Sequence, residues 1–131
     1  RGWPMTPAEI GLARRIVALL PEEMIPLSRD VWGGTPGERR VIGRLLWQAV
    51  DDKADWLPVL EDYALLGWLI TEARRRLDEP HLRTRWSKSG QRWEVYGDSA
   101  KWRNIVGYHA GVGETEVAAL VAALEAAKEK S

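Results

Sequence analysis

The sequence predicts a mainly α-helical domain, about five helices with one inserted antiparallel β-hairpin at about residues 82–96. Three observations lead there. Apolar residues recur at spacings of three and four through most of the 131 residues. Two segments, Thr6-Pro7-Ala8-Glu9 and Thr35-Pro36-Gly37-Glu38, carry the pattern of a capped helix start. One segment alone, Arg83 to Tyr96, reads as paired strands around a turn with Gly. Residues 1–131 are expected to form a single helical domain, since this length holds a real core and is short for two.

In the first helix Thr6 caps, Pro7 suits the first helical position and Glu9 closes a capping box. It should run to about Leu20, stopped by Pro21. Ile10, Ala13, Val17 and Leu20 form its stripe, widened by Leu12, Ile16 and Leu19. Residues 21 to 34, with two Pro and two Gly, read as a loop with room for one helical turn. The Thr35 signature starts a second helix to about Val50, burying Val41, Ile42, Leu45, Leu46 and Ala49, so that 6–50 is an N-terminal helical pair.

A long central helix is expected over 55–79, capped by Asp55, with Pro58 in its first turn and Pro80 past its end. Trp56, Val59, Tyr63, Leu66, Ile70, Ala73 and Leu77 follow a heptad seam. The hairpin comes next. Over 98–129 two C-terminal helices are expected. The first is capped by Asp98 or Ser99 and carries Trp102, Ile105, Val106 and His109. After a break at Gly111 and Gly113, the second runs from about Glu114 to Lys128 with Val117, Leu120, Val121 and Leu124 as its stripe.

The hairpin has two chemically distinct faces. A Ser89-Gly90 turn sets Trp86 opposite Trp93, Thr84 opposite Val95 and Arg85 opposite Glu94. Leu82, Thr84, Trp86, Trp93 and Val95 then share one side, and Arg83, Arg85, Arg92, Glu94 and Tyr96 the other. An isolated hairpin is marginal in water, so the tryptophan face must dock on something, which leaves the basic face for a partner.

Charge is balanced, with 19 Lys and Arg against 19 Asp and Glu, but locally polarised. Residues 51 to 72 carry Asp51, Asp52, Asp55, Glu61, Asp62 and Glu72 against Lys53, a net of −5. Residues 74 to 103 carry nine basic groups against Asp78, Glu79, Glu94 and Asp98, a net of +5. No cysteine is present, which excludes disulfides and thiolate chemistry and fits a cytoplasmic setting. No apolar run is long enough to span a membrane, and the N-terminus does not read as a signal peptide. Eight Trp and no Phe is a bias with no physical account.

Catalytic signals are thin. His81 and His109, the only histidines, read as structural or surface residues, and no catalytic residue, metal or cofactor is expected. Asp51, Asp52 and Asp55 could hold a divalent cation in an enzyme, although acids at a helix start also serve as caps. Gly33-Gly34-Thr35 ahead of a helix could cradle an anion, but it lacks the Gly-Lys-Ser/Thr of a phosphate loop. Arg74, Arg75 and Arg76 suit a helix C-terminus. Arginines beside Tyr96 suit phosphate contact and stacking. That face serves nucleic acid, or the acidic stretch of a second copy, equally well.

The pieces Leu60-Glu61-Asp62-Tyr63-Ala64-Leu65-Leu66-Gly67-Trp68, Ser87-Lys88-Ser89-Gly90 and Ala110-Gly111-Val112-Gly113 ahead of Val117 to Leu124 stand in a telling order. Residues 55–124 thereby resemble the phage terminase small subunits. The resemblance implies a non-enzymatic protein that assembles as a homo-oligomeric ring and binds double-stranded viral DNA at the start of packaging. It implies delivery to the large terminase subunit, in the cytoplasm of an infected or lysogenic bacterial host. On this reading Arg83, Arg85, Lys88 and Arg92 contact DNA, seconded by Arg74 to Arg76, Lys101 and Arg103. Trp56, Val59, Tyr63, Leu66, Ile70, Trp86 and Trp93 would form the subunit interface. The alternative is a helical protein-interaction or regulatory module with a Trp-rich docking hairpin.

Overall fold

Two three-stranded antiparallel sheets, each accompanied by helix, make this an α+β protein and overturn the mainly helical expectation. A computed structural model of the chain describes residues 5–27, 34–50, 55–97 and 109–130. The chain divides into two compact units, Arg1–Leu65 and Leu66–Ser131.

In the first unit α1 (Pro7–Leu19) forms as expected. Glu9 N–H donates to Thr6 Oγ1 at 3.1 Å and Thr6 N–H donates to Glu9 Oε1 at 2.9 Å, a complete capping box. Ala13, Ile16 and Leu19 are buried. A short 3₁₀ turn follows at Glu22–Met24.

The expected second helix is instead a β-hairpin of β1 (Arg39–Ile42) and β2 (Leu45–Ala49). Its would-be cap is a type II turn. Glu38 N–H donates to Thr35 O at 3.0 Å, with Pro36 and Gly37 between them and Gly37 at φ 91. Pro followed by a positive-φ Gly is the demand of that turn. The Glu38 carboxylate still reaches back to Thr35 N–H at 3.4 Å, one half of a capping box, while Glu38 N–H bonds to the Thr35 carbonyl. Ile42 pairs with Leu45, leaving Gly43-Arg44 as a two-residue turn with Gly43 at φ 63.

The long central helix is likewise shortened. Trp56–Pro58 is strand β3, paired with β2, so sheet one runs β1-β2-β3. Pro58 sits on an edge strand, where its missing N–H is tolerated. Trp47 and Trp56 are both fully buried. Against Ala13 of α1, Leu57 and Val50 pack with Met5, Ile10, Val17 and Leu60 around them.

Helix α2 (Tyr63–Arg76) opens just before the unit boundary. Ala64 N–H donates to Asp62 Oδ1 at 3.1 Å, and the other oxygen accepts from Leu46 N–H at 2.9 Å. So Asp62, not Asp55, serves the helix start. The buried stripe of α2 is Leu65, Leu69 and Ala73; Ala73 belongs to the expected seam, whereas Leu66, Ile70 and Leu77 are half-buried and Tyr63 is exposed. Glu79 N–H donates to Arg74 O at 2.9 Å and Asp78 N–H to Arg75 O at 3.3 Å. With Asp78 at φ 50, this is a Schellman ending.

The second unit is built on β4 (Arg83–Ser87), β5 (Arg92–Tyr96) and β6 (Gly111–Gly113), in that order. The hairpin register is the expected one: Trp86 faces Trp93, Thr84 faces Val95 and Arg85 faces Glu94. Its turn is wider, since Ser87 pairs with Arg92 and Lys88 to Gln91 form the connection, with Gln91 at φ 52. Gly111 and Gly113 are not a helix break but the third strand, pairing with Val95 and Trp93. Helix α3 (Glu116–Lys130) lies across them. A Cβ on Gly111 would sit 2.5 Å from Ala119 O and Ala123 N, and one on Gly113 2.7 Å from Ala119 N. Only bare strand backbone and a small-residue helix can meet this closely. Val117, Leu120, Val121 and Leu124 are buried as expected. The expected fourth helix, with its Asp98 or Ser99 cap and Trp102, Ile105 and Val106, lies outside the described residues; His109, its last member, is not helical.

Candidate functional site

Strand alternation and the observed register set Arg83, Arg85, Arg92, Glu94 and Tyr96 on one side of the second sheet. The opposite side lies under α3, where Thr84 Oγ1 donates to Glu116 Oε2 at 2.5 Å. This side meets the last helix through Thr84, and on it Trp86 and Trp93 make an edge-to-face contact at 6.1 Å between ring centroids.

The basic face is an ordered row of groups. The Arg83 and Arg85 guanidinium carbons stand 5.2 and 4.6 Å from the Tyr96 ring centre. Two arginines thus share one aromatic ring. Arg85 Nε lies 3.4 Å from Glu94 Oε1, and Arg92 Nε and Nη2 each lie 3.4 Å from Glu94 Oε2. Arg92 Nη2 also approaches His109 Nε2 at 3.3 Å, an arrangement in which the ring nitrogen accepts. Glu94 is buried, and Arg83 and Arg85 are exposed. Lys88 is exposed in the turn at the end of this row.

The secondary basic candidates fare differently. Arg75 and Arg76 are held by Glu72 at 2.8 and 2.9 Å, and Arg74 Nε donates to Leu82 O at 3.0 Å. Hydrogen bonding from Arg75 lowers the Glu72 carboxyl from its ordinary value and outweighs the opposing effect of its burial. These three arginines finish the end of α2 and are not joined to the hairpin row by any described contact. Lys101 and Arg103 lie outside the described residues.

The described acidic groups of residues 55–72 have partners within the chain. Asp55 pairs with Arg14 at 2.7 Å, Glu61 lies 3.6 Å from Arg39, and Asp62 and Glu72 are occupied as above. Among the described residues no group of three His, Asp or Glu is placed to hold a metal, and Asp51 and Asp52 lie outside them. Gly34 and Thr35 lead into a turn and a strand, so no helix N-terminus stands there to cradle an anion. His81 is exposed. A small cavity in the first unit, about 10 Å³ between Met5, Glu9, Arg39, Gln48, Val59, Leu60 and Glu61, has room for about one water.

The interface candidates split. Trp56 is 0 % and Val59 2 % exposed, so neither presents surface to a second copy. Leu66, Ile70 and Trp93 are half-buried, while Tyr63 is 88 % and Trp86 44 % exposed. Sequence reasoning missed two residues that shape this region, Glu94 as a buried carboxylate and Glu116 as the α3 anchor for Thr84. Glu94 was visible as the lone acid on a basic face; nothing local marked Glu116.

No family model, no curated protein and no solved structure matches this chain.

Proposed function

We propose that the chain is a non-enzymatic DNA-binding protein of viral DNA packaging, of the small-terminase type. As an oligomer it would engage double-stranded DNA and deliver it to the large terminase subunit. The observation that carries this reading is the row of Arg83, Arg85 and Arg92 on the side of the second sheet away from α3, with Lys88 at its end. Guanidinium forks fixed on an aromatic ring suit phosphate oxygens. The Tyr96 ring is engaged by two arginines, so the face is suited to phosphates more than to base stacking. Partners within the chain for Asp55, Glu61, Asp62 and Glu72 weigh towards DNA over the acidic stretch of a second copy. The order α2, hairpin, α3 over residues 63–130 supports the small-terminase likeness, although the Gly-x-Gly element is a strand.

A labelled duplex titrated by fluorescence anisotropy tests this. Replacing Arg83, Arg85 and Arg92 together by Gln should lower affinity at least tenfold on every sequence, since phosphate contacts carry little base information. An unchanged affinity would remove this face from the function. Light scattering on the eluting protein should give a closed oligomer of many copies.

A second reading, a protein-docking module, is favoured by Trp86. At 44 % exposure beside Trp93 it offers the amphipathic aromatic surface typical of interface anchors. A monomer that binds no duplex would favour it.

A further inference from the structure

We propose that Glu94 sets how strongly the hairpin face holds a polyanion, acting through Arg85 and Arg92 as a built-in attenuator of DNA affinity. This rests on the DNA-binding reading above. Among the described strand residues Glu94 is the one acid on that face; it is 8 % exposed and stands between two guanidiniums. Its contacts with them are all 3.4 Å long, whereas Arg14–Asp55 and Arg75–Glu72 close to 2.7 and 2.8 Å in the same chain. Tight charge-assisted bonds fall near the shorter values. Glu94 therefore cancels positive charge without locking the side chains.

Other groups hold the arginines in place. Tyr96 carries Arg83 and Arg85, and His109 meets Arg92. Removing the Glu94 charge should leave the row standing and add one uncompensated positive charge beneath it. A carboxylate that mainly oriented the arginines would give the opposite result, weaker binding on its removal. The geometry decides for attenuation.

The experiment compares wild type with Glu94→Gln and, as a second uncharged variant suited to a strand, Glu94→Thr. Duplex affinity is measured at several salt concentrations, with circular dichroism to confirm folding. Both variants should bind roughly fivefold to tenfold tighter near 0.1 M salt, and the slope of log affinity against log salt should steepen by about 0.9. Adding Arg85→Gln to Glu94→Gln should return the slope to that of wild type, a reversal that a purely structural role for Glu94 would not produce. If wild type binds with a salt-dependent affinity and both folded variants show no tightening, Glu94 is not an attenuator. If wild type binds no duplex at any salt, the DNA-binding reading falls and this inference with it.

Discussion

Two glycines of this chain obey opposite physics. Gly111 lies under α3, where an added methyl would meet the Ala119 carbonyl oxygen and the Ala123 nitrogen at 2.5 Å. Backbone cannot yield as a flexible side chain does, so helix and sheet must part. Gly111→Ala should cost about 2 to 3 kcal/mol by chemical denaturation. Gly67 is exposed in the middle of α2, and nothing stands within 4 Å of a Cβ there. Gly67→Ala should therefore stabilise by about 0.5 to 1 kcal/mol, the difference in helix propensity. A loss of stability at Gly67 would mean that the position serves a contact outside the folded chain. Glu72, paired with Arg75 and Arg76, titrates below its ordinary value of 4.5 in the folded state. A depressed carboxyl contributes stability above the unfolded pKa and loses it as pH falls through the folded one. Glu72→Gln should cost about 0.5 kcal/mol at neutral pH, and the difference from wild type should vanish in acid below that range.

At the scale of elements, helix ends and turns decided the fold. Helix α2 stops in a Schellman ending whose left-handed position is Asp78, φ 50. A non-glycine residue there is strained, and its negative charge faces the negative end of the helix. Asp78→Gly should raise stability by about 0.5 to 1 kcal/mol, read as a rise in melting temperature of a few degrees. Helix α1, the hairpin register and the buried stripe of α3 were legible because each rests on local chemistry: a capping box, strand alternation, helical spacing. Residues 35–50 misled because Thr-Pro-Gly-Glu fits both a capping box and a type II turn. Gly37 at the third position should have decided for the turn, and Gly43 interrupting Val41-Ile42 and Leu45-Leu46 should have marked a second one. Gly111-Val112-Gly113 has too little side chain to show a period of two, so strand β6 left no local signature. Its role depends on α3 more than on its own residues.

For the molecule as a whole, the balance of charge limits what DNA binding can look like. Zero formal net charge leaves no long-range attraction from the protein as a body, and salt screens anything beyond about 8 to 10 Å. Binding must come from the groups that touch phosphate. Within one copy the described candidates are Arg83, Arg85, Arg92 and the exposed Lys88, because Glu72 holds Arg75 and Arg76 and Arg74 bonds to Leu82. Glu94 offsets one of the four. At about 0.9 per phosphate neutralised, these described groups should contribute a slope of log affinity against log salt near 3 for a single copy. An oligomer engaging one duplex through several copies should show a multiple of that slope, growing with the number of copies in contact. Salt titrations at protein concentrations below and above assembly would separate the two regimes. A slope near zero in both would show that the arginine row does not meet phosphate, and would leave Trp86 as the surface to explain.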